Sequence, residues 1–327
     1  MRGAGFALAT LLVAVLAFGR LPGEKVPDGG VLLVTNKSEN TLSFIDTGTG
    51  EELARIATGP NPHEVAVTPD GQLAFVADYG SNSLTVVNVP DRAVSGTVDL
   101  GEHTRPHGTV VTRDGSSVWV TTEGSRHLVE VDVASRQVVR TVETGQNVTH
   151  MVTLVEGKGK AYTANIGSGN VTAIDIWRGV VIRQIETGAG AEGITTTPDE
   201  RYVLVTNRAA GTFTVIDTDG DSVVHSIEIG GFPIRVEVTP DGKRALVSQA
   251  QANQLLEISV GDWTPGRRLA VGRMPVGIEI RPDGAVAYVA NTFDDLLTVV
   301  DLERFEELTT LSAGDEPDGM AWVNRSW

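Results

Sequence analysis

The sequence contains no cysteine, and this absence removes several classes of protein. Without thiols the chain has no disulfide framework, no thiolate zinc site, no iron–sulfur cluster and no cysteine nucleophile. Basic residues are also scarce, because 26 Lys and Arg stand against 42 Asp and Glu and leave a formal net charge of −16. Nucleic-acid binding needs clustered cations that contact phosphates, so we expect no nucleic-acid partner.

Long hydrophobic runs are scarce as well. The apolar run Phe6–Phe18 has thirteen residues and follows a basic residue at the N-terminus. A membrane-spanning helix needs about 20 residues, whereas a secretory signal needs only a run of this length. Small residues at Ala17 and Gly19 suit a cut after position 19. We therefore predict a signal peptide over residues 1–19, a short linker over residues 20–30, no transmembrane segment in the mature chain, and a periplasmic or secreted location. An uncleaved N-terminal anchor is the alternative.

A helical period is missing throughout, and a repeat takes its place. Segments such as LLVTN, AFVAD and AYVAN recur at spacings of 42 to 44 residues and end at Asn36, Asp78, Thr122, Asn165, Asn207, Gln249 and Asn291. A glycine series and a second strand series keep the same spacing. Each unit holds four alternating or β-branched segments and a turn of the TPDG kind. Four strands in about 42 residues is typical of a β-propeller blade.

The repeat predicts an all-β fold: a seven-bladed β-propeller with four antiparallel strands per blade, in a single domain over residues 31–324. The chain begins with a second-strand sequence, VLLVTN, and ends with a first-strand sequence, DGMAWV. We therefore predict a composite blade made of residues 31–58 plus residues 318–324. In this arrangement the C-terminal strand joins the N-terminal blade and closes the ring.

The VTN and VAN strand ends, the PDG turns and the VID strands resemble the YVTN-type β-propeller repeat family over about nine-tenths of the chain. More distantly, the repeats are similar to propeller lactonases and to the propeller domains of periplasmic denitrification enzymes. The resemblance implies a propeller fold and an envelope or surface protein. It implies no single activity, because members of the family have diverse or unassigned roles.

One position in the repeat carries most of the candidate chemistry. Fifteen residues before each strand end, at the start of the innermost strand, stand His63, His107, His150, Glu192, Ile234, Val276 and, through ring closure, Asp318. Innermost strands line the central channel, so five adjacent blades are expected to present a polar arc at its mouth. We predict a divalent-metal site formed by His63, His107, His150 and Glu192, with Asp318 as a further candidate ligand. Imidazole and carboxylate ligands suit Zn, Cu, Fe or Mn.

Two other functions are compatible with the same residues. The first is a metal-free enzyme of the lactonase or lyase type, in which His107 or His150 is the general base and Glu192 or Arg235 its partner. The second is an interaction scaffold without chemistry. The expected partner is a small molecule or an envelope protein at the channel mouth, and we expect a monomer. For Arg235 itself, an inter-blade ion pair is favoured over an anion clamp.

Overall fold

A computed structural model of the protein describes residues 29–324. The predicted signal peptide and most of the predicted linker lie outside these residues. The described chain forms seven four-stranded antiparallel sheets, which confirms the predicted seven-bladed propeller. Innermost strands of neighbouring blades contact one another all the way round the ring. Within residues 29–324 no helix is long and apolar enough to cross a membrane.

The first three blades have the following strands. Blade 1 consists of β1 (Val31–Asn36), β2 (Thr41–Asp46), β3 (Glu52–Ala57) and the C-terminal strand β28 (Pro317–Val323). Blade 2 consists of β4 (Pro62–Val67), β5 (Leu73–Asp78), β6 (Ser83–Asn88) and β7 (Ala93–Asp99). Blade 3 consists of β8 (Pro106–Val111), β9 (Ser117–Thr122), β10 (His127–Asp132) and β11 (Gln137–Glu143).

The other four blades follow the same order from the channel outwards. Blade 4 consists of β12 (Thr149–Val155), β13 (Lys160–Asn165), β14 (Asn170–Asp175) and β15 (Val180–Glu186), with a short 3₁₀ helix (Glu156–Lys158) after β12. Blade 5 consists of β16 (Ala191–Thr196), β17 (Tyr202–Asn207), β18 (Thr212–Asp217) and β19 (Ser222–Glu228). Blade 6 consists of β20 (Pro233–Val238), β21 (Arg244–Gln249), β22 (Gln254–Ser259) and β23 (Pro265–Ala270). Blade 7 consists of β24 (Pro275–Ile280), β25 (Val286–Asn291), β26 (Leu296–Asp301) and β27 (Glu306–Ser312).

The ring closes as the sequence predicts. β28 is the innermost strand of blade 1 and pairs antiparallel with β1, with Val323 opposite Val31 and Ala321 opposite Leu33. The core lies between blades, where the faces of neighbouring sheets meet. In one such layer, Phe44 of blade 1 packs in a cluster with buried residues of blade 2. Since each fully buried aliphatic or aromatic side chain contributes about 1.5–3 kcal/mol, these layers hold the ring together.

A β-bulge interrupts the innermost strand of every blade near its start. In β12, Thr149 pairs with Asn165 and Met151 pairs with Ala164, so His150 has no partner in the ladder. In the other six blades the pairing register shifts between the first and the fourth residue of the innermost strand. Bulges redirect side chains away from the regular alternation of a strand. The bulge therefore turns the arc position out of the sheet in each blade.

Candidate metal centre

The structure places the predicted arc residues at one equivalent position, the second residue of the innermost strand in every blade. The three histidines form a contiguous row. Ring centroids are 4.8 Å apart for His63 and His107, and 3.7 Å apart for His107 and His150. His107, His150, Glu192 and Asp318 are all buried, and His63 is half-buried. Spacing by blade thus brings the imidazoles into contact.

Hydroxyl groups of neighbouring blades fix the backbone of the arc. Thr35 Oγ1 donates a hydrogen bond of 2.7 Å to the carbonyl oxygen of His63, and Thr121 Oγ1 donates to that of His150. Ser248 Oγ does the same for Val276, at 2.8 Å. Each of these bonds joins the second strand of one blade to the innermost strand of the next. The polar and the apolar arc positions are therefore held by the same kind of support.

A carboxylate that sequence reasoning missed completes a compact ligand group. Ligand atoms of His107, Glu123 and His150 all lie within 4.8 Å of one another. Glu123 Oε1 is 2.5 Å from His150 Nδ1. Glu123 follows the strand-end residue Thr122 and so reads as an ordinary loop residue in the sequence. The backbone N–H of Glu123 donates to the carbonyl oxygen of Arg105 at 3.0 Å, which holds the loop over the channel mouth.

A periodic signal for this second position does exist. The residue after each strand end recurs with the repeat, and its N–H bonds to the residue two before the arc position in all seven blades. This second ring consists of Lys37, Tyr79, Glu123, Ile166, Arg208, Ala250 and Thr292. Charged or phenolic side chains stand there on four of the seven blades, and each contacts an arc residue or Glu123. Considering both rings together would have found Glu123.

Tyr79 orients Glu123 and covers the histidines. Its hydroxyl donates a hydrogen bond of 2.7 Å to Glu123 Oε2. Its ring lies 4.5 Å from the His63 ring and meets the His107 ring edge-on at 5.8 Å. Burial, together with the hydrogen bond to Glu123, raises the pKa of Tyr79 to about 12. Tyr79 is therefore a neutral donor that keeps Glu123 turned towards His150.

The other predicted ligands lie around this group. His63 Nδ1 is 3.0 Å from the carbonyl oxygen of Asn61. Glu192 Oε1 lies 3.6 Å from His150 Nε2, and its other oxygen lies 3.0 Å from Arg208 Nη1. Asp318 Oδ2 lies 3.4 Å from Lys37 Nζ. The geometry groups His107 and His150 most tightly with Glu123, while ligation by His63, Glu192 or Asp318 stays a prediction.

Adjacent imidazoles in this group have opposite electrostatic surroundings. Burial lowers the pKa of His107 well below its usual value, and the nearby charges of His150 and His63 lower it further. Burial also acts to lower the pKa of His150, but hydrogen bonds with Glu123 and Glu192 outweigh it and raise the pKa to about 9. His107 is therefore neutral. Its Nδ1 atom is buried and has no hydrogen-bond partner within the described chain.

Arg235 forms an ion pair, as expected, but with a blade on the far side of the channel. Arg235 Nη2 donates to Glu64 Oε1, and both side chains are buried. Arg235 belongs to β20 of blade 6 and Glu64 to β4 of blade 2, so the pair spans the ring directly beside the arc. Two further histidines, His103 and His127, form a separate pair with ring centroids 4.7 Å apart.

A cavity of about 580 Å³ opens next to this centre between blades 2 and 3. Tyr79 is one of its walls, and Thr104 and Arg105 form another. These two residues belong to the segment that makes blade 3 longer than the 42-residue repeat. A ligand in this cavity would contact Tyr79, whose hydroxyl donates a hydrogen bond to Glu123.

Comparisons with known proteins agree with the fold. Residues 165–262 match the YNCE-like beta-propeller family. Together with the seven blades, this match is consistent with a YVTN-type propeller, as the repeats indicated. No curated protein matches the chain.

Several solved structures are similar. Hydrazine synthase of Kuenenia stuttgartiensis is 22% identical, with a TM-score of 0.76 over 84% of this chain and 93% of that chain. A functionally unknown protein from Desulfotomaculum acetoxidans DSM 771 is 14% identical, with a TM-score of 0.80 over 90% and 99%. The dihydro-heme d1 dehydrogenase NirN, in complex with DHE, is 18% identical, with a TM-score of 0.65 over 86% and 63%. At these identities the likeness is one of fold.

Proposed function

We propose that this protein is an exported propeller that binds one divalent transition-metal ion at the channel mouth through His107, Glu123 and His150. The observation that carries the proposal is the convergence of the three ligand atoms within 4.8 Å, beside a buried His107 Nδ1 that lacks a partner. Buried polar atoms are rarely left unpaired, and a metal ion would satisfy this one. Two imidazoles and a carboxylate suit Zn, Cu, Fe or Mn.

The surroundings of the three ligands support this assignment. Metal-binding histidines and carboxylates are usually held by further hydrogen bonds, which set their orientation. Tyr79 donates to the Glu123 oxygen that does not face His150, and Glu192 lies beside the second nitrogen of His150. Metal binding would displace the proton between His150 and Glu123, because both groups coordinate in their deprotonated forms.

Three protein ligands leave a position open on the ion. At such a position a metal ion binds an anion or activates a water molecule. The cavity that Tyr79 lines opens next to the centre, and the Arg235–Glu64 pair lies across the channel beside the arc. This arrangement favours chemistry on a ligand that enters from the outer face of the mouth.

A metal-free acid–base site is the second candidate, and one observation favours it. His107 and His150 stack at 3.7 Å, yet their surroundings drive their pKa values apart. Such a division is typical of a base and an acid that work as a pair. In this alternative His107 is the general base and His150 the acid, while Arg235 is engaged by Glu64.

Metal content separates the two candidates. The protein should be purified after expression with Zn, Cu, Fe and Mn supplied, and its metals measured by mass spectrometry. We expect about one equivalent per chain in the wild type and a loss of at least tenfold in affinity for His107→Ala, His150→Ala and Glu123→Gln. His225→Ala, in the outermost strand β19, is the matched control and should keep the ion. Metal-free wild-type protein that also binds none by calorimetry would exclude the metal centre.

The exported location has its own test. The short apolar run near the N-terminus predicts a mature chain that begins near Arg20 outside the cytoplasm. Intact-mass measurement on protein released from the periplasm or the medium should show this start. A chain that retains residues 1–19 and fractionates with the cytoplasm would contradict export.

A further inference from the structure

Arg235 has a buried donor that its ion pair does not use. The side chain is 6% exposed. Nη2 is engaged by Glu64 and lies 3.9 Å from Asp318 Oδ1, whereas Nη1 is buried and has no hydrogen-bond partner anywhere in residues 29–324. A buried guanidinium nitrogen that lacks a partner costs free energy unless a ligand or water accepts from it. The unused donor therefore points to an acceptor that enters the channel mouth.

The ion pair brings Arg235 close to the row of histidines, because Glu64 is next to His63 in the chain and the His63 ring lies 4.8 Å from the His107 ring. Arg235 directly follows the arc position of blade 6, and Glu64 directly follows His63. The positive charge of Arg235 is among the causes that lower the pKa of His107. Burial acts to lower the pKa of Arg235 itself, but the charges of Glu64, Asp318 and Glu192 outweigh this effect and raise it.

The charges of the mouth define the kind of acceptor. The arc, the second ring and the residues that directly follow the arc hold three cations besides the imidazoles. Each faces a carboxylate, namely Lys37 with Asp318, Arg208 with Glu192, and Arg235 with Glu64. Glu123 is a fourth carboxylate and has no such cation. With His150 and Glu123 both bound in their deprotonated forms, a dication leaves an excess of one positive charge among these groups. A single monoanionic ligand would neutralise this excess charge.

We propose that the loaded channel mouth binds a small carboxylate-type monoanion, which accepts a hydrogen bond from Arg235 Nη1. The inference rests on the proposed metal centre, which supplies the positive excess. The ligand is small because the side chains that surround it are buried and the Arg235–Glu64 pair crosses the channel. A planar oxyanion suits a guanidinium, which presents its N–H groups in a fixed fork.

Formate is the probe, and formamide is its uncharged counterpart of nearly the same shape. Binding of each to the metal-loaded protein is measured by calorimetry, and metal content is measured on the same samples. We expect formate to bind and formamide to bind at least tenfold more weakly. Glu64→Gln should tighten formate binding by on the order of tenfold, because Arg235 then loses the carboxylate that neutralises it. A purely structural role for the pair predicts no such gain.

The double variant Glu64→Gln/Arg235→Met removes both members of the ion pair, so neither is left buried without the other and the fold should survive. It should keep one metal ion and lose formate binding, with thermal melting as the check on folding. If the wild type holds its metal but binds no formate, or binds formamide equally well, the anion site is wrong and the metal centre stands. If the wild type holds no metal, the proposed function fails, and the anion site fails with it.

Discussion

The two sides of the channel mouth share one backbone and differ in their side chains. On blades 6 and 7 the arc positions are Ile234 and Val276, which are buried in an apolar cluster with Ala250. On the other five blades the same position holds His, Glu or Asp. Both sides have the same bulge, and Ser248 supports Val276 in the way that Thr35 supports His63.

The apolar side therefore shows what the fold itself requires. Aliphatic side chains are enough to fill the mouth on two blades, so the ring does not need imidazoles or carboxylates there. Buried charged groups cost free energy unless they are paired. Their concentration on adjacent blades, next to Tyr79 and Glu123, is what the proposed metal centre requires. The contrast between the two sides therefore supports the proposed metal centre.

Loss of the last strand should have the largest effect on stability, because β28 closes the ring on which both sides of the mouth depend. Deletion of residues 316–327 takes away β28, exposes the edge of β1 and uncovers the faces of the neighbouring blades. Several buried side chains are lost, each worth about 1.5–3 kcal/mol, so the free energy of unfolding should fall by several kcal/mol. Thermal melting and size-exclusion chromatography test this. A truncated chain that stays monomeric and melts like the wild type would refute the closed ring.

Exchange of the two sides should have opposite effects on stability. Ile234→His places an unpaired polar group in the apolar cluster and should lower the free energy of unfolding by about 1–3 kcal/mol. His107→Leu removes a buried nitrogen that has no partner, so stability should be unchanged or slightly higher, while metal binding is lost. Denaturant titration measures both. Equal destabilisation by the two variants would show that the polar side is structural.

Asp78 offers a smaller effect with a definite pH dependence. Burial raises the pKa of Asp78 to about 6, although Ser83, Thr85 and the N–H of Gly59 donate hydrogen bonds to it. Because the folded-state pKa lies above the unfolded value, this carboxyl destabilises the fold progressively as the pH rises from about 4 to about 6, and the penalty persists above that. Asn207 occupies the same position in blade 5 and donates to two hydroxyls.

Asp78→Asn should therefore raise the free energy of unfolding by about 1–3 kcal/mol at pH 8 and by almost nothing at pH 3. Urea titrations at the two pH values measure the difference. Asp132→Asn is the control, because a hydrogen bond from Ser135 lowers the pKa of that half-buried carboxyl and no gain is expected at pH 8. A gain for Asp78→Asn that is the same at both pH values would contradict the assigned cause.

The fold and the arc were predictable because both depend on spacing. A repeat of 42 to 44 residues fixes the strand register, so His63, His107 and His150 could be assigned to one level of the channel. Glu123 was missed because the prediction considered one position per repeat, whereas Glu123 belongs to the second ring, which a backbone hydrogen bond to the residue two before the arc position holds in place. The pairing of Arg235 with Glu64 joins non-adjacent blades and residues 171 positions apart, so no local pattern could indicate it.

Glu200, in the TPDE turn, is another residue whose contacts could not be predicted from the sequence. Glu200 stands where other turns have glycine, and it keeps the left-handed backbone with φ of 58°. Its carboxylate lies 2.6 Å from Arg113 Nη2 and accepts from the N–H of Gly157 at 2.9 Å. The sequence shows that this turn has Glu in place of Gly. The contacts that stabilise Glu200 in the left-handed conformation come from blades 3 and 4, so they depend on the tertiary structure.

The most direct test of the metal centre is a crystal of the protein loaded with a divalent transition metal, with anomalous scattering measured at the absorption edge of that metal. The proposed centre predicts one peak at the channel mouth, within coordination distance of His107, Glu123 and His150. The His107→Leu variant, which should fold normally, should lose the peak under the same loading. No peak at the mouth, or a peak that His107→Leu leaves unchanged, would contradict the proposed centre.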